Sequence, residues 1–137
     1  MKPFRFLIIA NPASGRGRAS STIETVLRHL RQAGSSAEVC ETTQKGQAES
    51  TIRDACRAVT PPDVVVACGG DGTVQEVAAT LAVIRREMGD SCPSMGLAPA
   101  GRCNDFARAM GISPDADAIA EALLRGQPQF VDFNLIG

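Results

Sequence analysis

Two kinds of hydrophobic pattern alternate along the chain. FRFLIIA (4–10) and DVVVAC (63–68) are short and almost unbrokenly apolar, as parallel strands covered on both faces must be. SAEVCET (36–42) and SMGLAP (94–99) are weaker strand signals, and QFVDFNLI (129–136) alternates as a last strand would. Between them the apolar positions fall at helical spacing. Ser21-Thr22-Ile23-Glu24 fits a capping box, followed by a stripe of Ile23, Val26, Leu27 and Leu30 and a stop at Gly34. Thr73-Val74-Gln75-Glu76 fits a second box, with Val77, Leu81 and Ile84 on one face. Ser113-Pro114 reads as an N-cap and first helical residue, ahead of Ile119, Ala122 and Leu123 and a stop at Gly126. A further helix over about 47–58 is less clearly capped, and a short one spans Phe106 to Met110. The alternation predicts an α/β fold: a three-layer, open, mainly parallel sheet with helices on both faces and right-handed crossovers.

Composition narrows this picture little. At 137 residues the chain is one domain's worth, and 44% hydrophobic with 21% charged residues is ordinary for a globular protein. A net charge of -1 argues against nucleic acid as a partner, and no polybasic cluster marks a membrane surface. No stretch reads as a secretory signal or a transmembrane helix. The cysteines (Cys40, Cys56, Cys68, Cys92, Cys103) show no metal-ligand spacing and read as reduced thiols of a cytoplasmic protein. His29 falls off the apolar stripe and reads as part of a solvated helix face. The chain stops at Gly137 straight after an apolar strand, which suggests a domain cut from a longer protein.

The chemistry concentrates in loops that follow strands, the edge where open α/β sheets bind ligands. After the first strand comes ANPASGRGR: Asn11 and Pro12 fix a turn, Ser14 offers a hydroxyl, and Gly15 and Gly17 let backbone N–H groups approach an anion. It lacks the Walker A pattern and has Ser20 where a dinucleotide fingerprint needs its third glycine, so alone it reads as turn chemistry. The second loop is GGDGT, Gly69 to Thr73, placed between a strand and a helix. Gly69 and Gly70 permit positive φ and close backbone approach, as does Gly72, and the helix N-terminus offers unpaired N–H groups to a phosphate. Asp71 alone would repel phosphate; its carboxylate suits Mg²⁺, held through water, or the proton of an incoming hydroxyl. The plainer alternative is a tight turn with Asp71 bonding locally. A chance G-G-D-G is expected in roughly one chain of this length in several hundred, which favours function. The third loop, APAGRCNDFARAMGI (98–112), sets Gly101 and Arg102 before the adjacent pair Asn104 and Asp105. One of that pair suffices as an N-cap, leaving the other for a ligand.

In this order and at these distances, NPASG, GGDGTVQEV and PAGRCNDFAR resemble the catalytic-domain motifs of the diacylglycerol kinase family of lipid, sphingosine and ceramide kinases. ETTQKGQA (41–48) resembles that family's Thr-rich loop. The resemblance runs from Phe4 to Val131. It implies an N-terminal domain like that of NAD kinase and phosphofructokinase, binding ATP and Mg²⁺. It also implies a β-rich C-terminal domain, absent from these residues, that binds a lipid at the inner face of the membrane, and it leaves a homodimer open. Carried over by position, Asn11, Pro12, Ser14, Gly15 and Thr43 fall at the nucleotide. Gly69, Gly70, Asp71, Gly72 and Thr73 fall at the phosphates, with Asp71 catalytic, and Gly101, Arg102, Asn104 and Asp105 lie across from them.

Two positions depart from the family pattern. Arg102 stands where threonine is usual, which removes a hydroxyl contact and puts a cation there instead. Gln75 replaces a common asparagine with another amide. Three other readings compete. A NAD kinase-like or phosphofructokinase-like kinase would share the GGDG turn. A nucleotide-binding module without catalysis fits a domain alone, and a dinucleotide oxidoreductase would leave the second loop unexplained.

Overall fold

The computed structural model describes residues 4–11, 18–99 and 116–125. Strands and helices alternate as β1 (Arg5–Ala10), α1 (Arg18–Gln32), β2 (Ser36–Glu41), α2 (Gln47–Cys56), β3 (Val64–Gly69), α3 (Asp71–Met88), a single 3-10 turn (Gly89–Ser91), β4 (Ser94–Pro99) and α4 (Ala116–Arg125). All strand pairs are parallel, and the order across the sheet is β2-β1-β3-β4. The two unbroken apolar runs, β1 and β3, are the central strands, and the two weaker signals are the flanking ones. The expected last strand (129–136), the short helix from Phe106, the Ser113-Pro114 cap and the Gly126 stop lie outside the described residues.

Alternate side chains of each strand enter opposite layers. Phe6, Ile8, Ala10, Val66 and Cys68 pack under Ile23, Val26 and Leu30 of α1 and Ile119 of α4. Leu7, Ile9, Val65 and Ala67 pack under Ala48 and Ile52 of α2 and Val74, Val77, Leu81 and Ile84 of α3. Every one of these strand residues is almost completely buried, so each large apolar side chain contributes roughly 1.5–3 kcal/mol before chain entropy is subtracted. Among the described residues, two helices on each face complete the three layers.

The helix boundaries depart from the sequence expectation at both capping boxes. Helix α1 begins at Arg18, so Ser21 lies inside it, where the N–H groups it would cap already bond within the helix. Helix α3 begins at Asp71 with Gly70 as N-cap, and its first turn closes through the Val74 N–H to the Gly70 carbonyl at 3.2 Å. Thr73 is therefore an interior residue rather than a cap. The predicted end of α1 holds: Gly34 is left-handed (φ 85°), the Ser35 N–H reaches the Leu30 carbonyl and the Gly34 N–H reaches that of Arg31, each at 3.0 Å. Those are the two bonds of a Schellman turn.

In α4 the buried stripe is Ile119 and Ala120, with Leu123 and Leu124 half-buried; Ala122, expected inside, is exposed. The stripe shifts by one residue because α4 packs against both the sheet and α1. His29, expected on a solvated face, is partly exposed and also meets α4: its Nε2 lies 2.6 Å from Asp117 Oδ1 at the surface. Cys40, Cys56, Cys68 and Cys92 carry free thiols. Among the described residues no helix is long and apolar enough to cross a membrane.

Candidate active-site edge

A sheet ordered 2-1-3-4 has its switch point between β1 and β3, where successive connections leave in opposite directions over opposite faces. That crevice, beyond the carboxyl ends of the strands, is the general ligand site of open α/β sheets. The residues leaving β1 and β3 there are Asn11 and the Gly69–Thr73 loop. The Asn11 N–H bonds the Cys68 carbonyl at 3.3 Å, extending the β1–β3 ladder to the very edge. On the other side of β1, Thr42 donates its N–H to the Ala10 carbonyl at 2.8 Å, and its buried hydroxyl donates to the same oxygen at 3.4 Å. Three predicted site segments thus meet along one edge: Thr43 beyond β2, Asn11 beyond β1, and Gly69, Gly70, Asp71, Gly72 and Thr73 beyond β3.

The second loop is tighter than expected. No residue intervenes between strand and helix except Gly70, the N-cap of α3, whose backbone is extended (φ -87°, ψ -170°) and makes no side-chain cap bond. Asp71 is the first residue of the helix, Gly72 the second and Thr73 the third. The first turn's N–H groups and the positive end of the helix dipole therefore face the edge at which the strands end. Asp71, half-buried, sets a carboxylate at that positive end. Positive φ, one of the two reasons expected for these glycines, applies to Gly69 (φ 158°) and not to Gly70 or Gly72. The other reason remains. A Cβ built on Gly70 or Gly72 would meet no described atom within 4 Å, so packing among the described residues does not demand glycine at either.

The loop after β2 is held by two side chains that the sequence reading missed. Gln47 Oε1 accepts the N–H of Thr43 at 2.6 Å and that of Gln44 at 2.9 Å. Glu76, read as the acceptor half of a capping box, instead reaches across to the Gly46 N–H at 2.7 Å. The Lys45-Gly46-Gln47 sequence did carry a signal for the turn, since Gly46 is left-handed (φ 94°) at the start of α2. Nothing local in the sequence pointed from Gly46 to a residue thirty positions away.

Pro12, Ser14 and Gly15 of the first loop, and Gly101, Arg102, Asn104 and Asp105 of the third, lie outside the described residues. Among the described residues, no group of three or more acidic, histidine or cysteine side chains could hold a metal ion by itself.

The diacylglycerol kinase catalytic domain, as a sequence family, matches residues 5–136. The chain is 36% identical over 134 residues to a diacylglycerol kinase of Bacillus subtilis, covering 96% of this chain and 42% of that protein. It is 35% identical over 128 residues to a "Probable lipid kinase YegS-like" of Stenotrophomonas maltophilia, covering 93% and 40%. The crystal structure of a diacylglycerol kinase from Bacillus anthracis superposes with a TM-score of 0.74 at 25% identity, over 93% of this chain and 45% of that one. This chain thus spans about two fifths of the length of the curated relatives it matches. On the match across nearly its whole length, together with a parallel sheet that carries GGDGT at its switch point, the chain belongs to the diacylglycerol kinase catalytic domain family.

Proposed function

We propose that the intact protein transfers the γ-phosphoryl group of ATP to a lipid hydroxyl, diacylglycerol-like, and that this chain is its nucleotide-binding half. A β-rich C-terminal domain would bind the lipid at the inner face of the membrane. One observation carries the reading: Asp71 opens α3 at the switch point, between glycines that the described fold does not require.

In this reading the triphosphate lies against Gly70 and Gly72, whose missing side chains let it reach the N–H groups of the first turn of α3. Asn11, Ser14, Gly15 and Thr43 hold the rest of the nucleotide, and Gly101, Arg102, Asn104 and Asp105 close the site from across the edge. The lipid oxygen forms its bond to the γ-phosphorus as the bond to the β-phosphate oxygen breaks. ADP leaves, and the hydroxyl proton passes to a carboxylate or to water. Such a transfer asks the protein mainly for positioning and charge neutralisation. A single carboxylate beside phosphate oxygens suits Mg²⁺, which binds through one or two carboxylates plus substrate phosphates and would neutralise charge on the departing group. Asp71 either holds that ion through water or takes the hydroxyl proton.

Labelled-ATP transfer by the intact protein, against a panel of diacylglycerol, a sphingoid base, a polyprenol and NAD, tests the reading. Label in a lipid supports it; label in NAD alone would move the protein to the NAD kinase-like alternative. Asp71→Asn is expected to keep the fold and lower turnover by at least a hundredfold, and wild-type turnover would remove Asp71 from the mechanism. The variant also separates the two roles. A steeper Mg²⁺ requirement marks an ion-holding residue, whereas loss of the acid limb of the pH–rate profile marks a base.

A further inference from the structure

The Thr42–Gly46 loop has two ends with different anchors. Its Thr42 end is fixed to the sheet through the Ala10 carbonyl, and Gln47 gathers the N–H groups of Thr43 and Gln44 from within α2. Its Gly46 end is tied to α3 by the bond from the Gly46 N–H to Glu76 Oε1 at 2.7 Å. Farther along the same helix pair, Arg53 and Glu87 approach at 3.7 Å on the surface, a contact of the kind that holds little. Glu76 is half-buried, and a buried or half-buried N–H that loses a charged acceptor must find water or move.

The position of Glu76 on α3 excludes a direct part in the chemistry at Asp71. Five residues along an α-helix is a rotation of about 140°, so the two carboxylates leave the helix on different faces. One faces the strand ends; the other faces the start of α2. Yet both belong to one rigid helix, so whatever Glu76 holds is held at a set distance from Asp71.

From this geometry we infer that Glu76 is a positioning residue: by accepting the Gly46 N–H it locks the Thr42–Gly46 loop to α3 and so sets nucleotide affinity without touching the phosphoryl-transfer step. This role rests on the nucleotide-binding reading given above. It requires only an acceptor oxygen at the end of a side chain of this length, and a glutamine amide oxygen meets that requirement.

Two variants of the intact protein test it, together with amide exchange at Gly46. In Glu76→Ala the Gly46 amide is expected to exchange at least tenfold faster, and the ATP KM to rise about tenfold. In the same variant kcat stays within threefold of wild type and the lipid KM does not move. In Glu76→Gln all these quantities stay within threefold of wild type, so the conservative change acts as the rescue. If Glu76→Ala fails to fold, Glu76→Gln still decides: a large rise in its ATP KM would show that the charge, not the hydrogen bond, is what matters. An unchanged ATP KM in a folded Glu76→Ala variant whose Gly46 amide has been freed would overturn the role and leave the kinase reading intact. A wild-type protein that binds no nucleotide would overturn both, even with Gly46 protected from exchange.

Discussion

Gly72 has helical backbone that any residue accepts, and a side chain there would meet no described atom within 4 Å. Alanine in a helix is better than glycine by up to about 1 kcal/mol, so Gly72→Ala should melt no lower than wild type, and up to that amount more stably. Its phosphoryl transfer should nevertheless fall at least tenfold, because under the proposed function the new methyl would stand in the place given to the triphosphate. A thermal melt beside a transfer assay checks both halves, and full activity in a stable variant would show that no ligand approaches there. The sequence displays its glycines alike, and only coordinates sort them. Gly46 answers to backbone conformation, Gly96 to close packing, and Gly70 and Gly72 to neither within the described residues. Asp71 was legible as unusual from its neighbours alone. The partners of Glu76 and Gln47 were not, because a hydrogen bond to a loop N–H leaves no periodic trace in a sequence.

At the scale of elements, β4 and α4 approach each other closely at Gly96. A Cβ on Gly96 would come within 2.5 Å of Leu123 Cδ2 and 3.3 Å of Val66 Cγ2. The leucine tip can turn aside for a methyl group, but a branched side chain overfills the space. Gly96→Val is expected to cost about 1–3 kcal/mol, and adding Leu123→Ala should recover part of that loss. Strictly additive losses in chemical denaturation would mean that the two residues do not press on one another. The helices themselves were readable from their stripes, since Ile23, Val26, Leu30, Val77, Leu81 and Ile84 are all buried as the spacing required. Their starts were not. At Ser21 and Thr73 a good capping pattern stands one turn inside the helix, because the chain turns into α3 directly at Gly70 and into α1 by Arg18. A cap signal shows what a residue could do, and the length of the connection decides whether it is needed.

For the molecule as a whole, the ranking of apolar runs foretold the sheet. The two strongest became its centre, because a strand flanked on both sides and covered on both faces has no exposed position for a polar residue. The order β2-β1-β3-β4 was not written in any one segment; it follows from where each crossover lies on the two faces. The same central burial has a pH signature. Cys68, sealed within β3, has its thiol pushed from 9.0 up to about 12 by burial, and burial moves Cys56 and Cys92 in the same direction. The folded state therefore keeps a proton that the unfolded chain releases. The resulting stability is fully present below about pH 9 and drains away between there and about pH 12, by on the order of 4 kcal/mol for Cys68. Denaturant midpoints from pH 8 to 11 should fall for the wild type and fall less for Cys68→Ala. The sequence contains no tyrosine to titrate over the same range. Parallel slopes for the two proteins would exclude Cys68 as the source.

The central place of β1 also bears on how the polypeptide is made. Arg5–Ala10 leaves the ribosome before either of its hydrogen-bonding neighbours, residues 36–41 on one side and 64–68 on the other. At ordinary elongation rates it waits several seconds with an apolar, hydrogen-bond-hungry ribbon open to any other chain. Slowed translation between β1 and β3 should therefore lower the soluble yield, whereas the same delay placed after β4 should cost little.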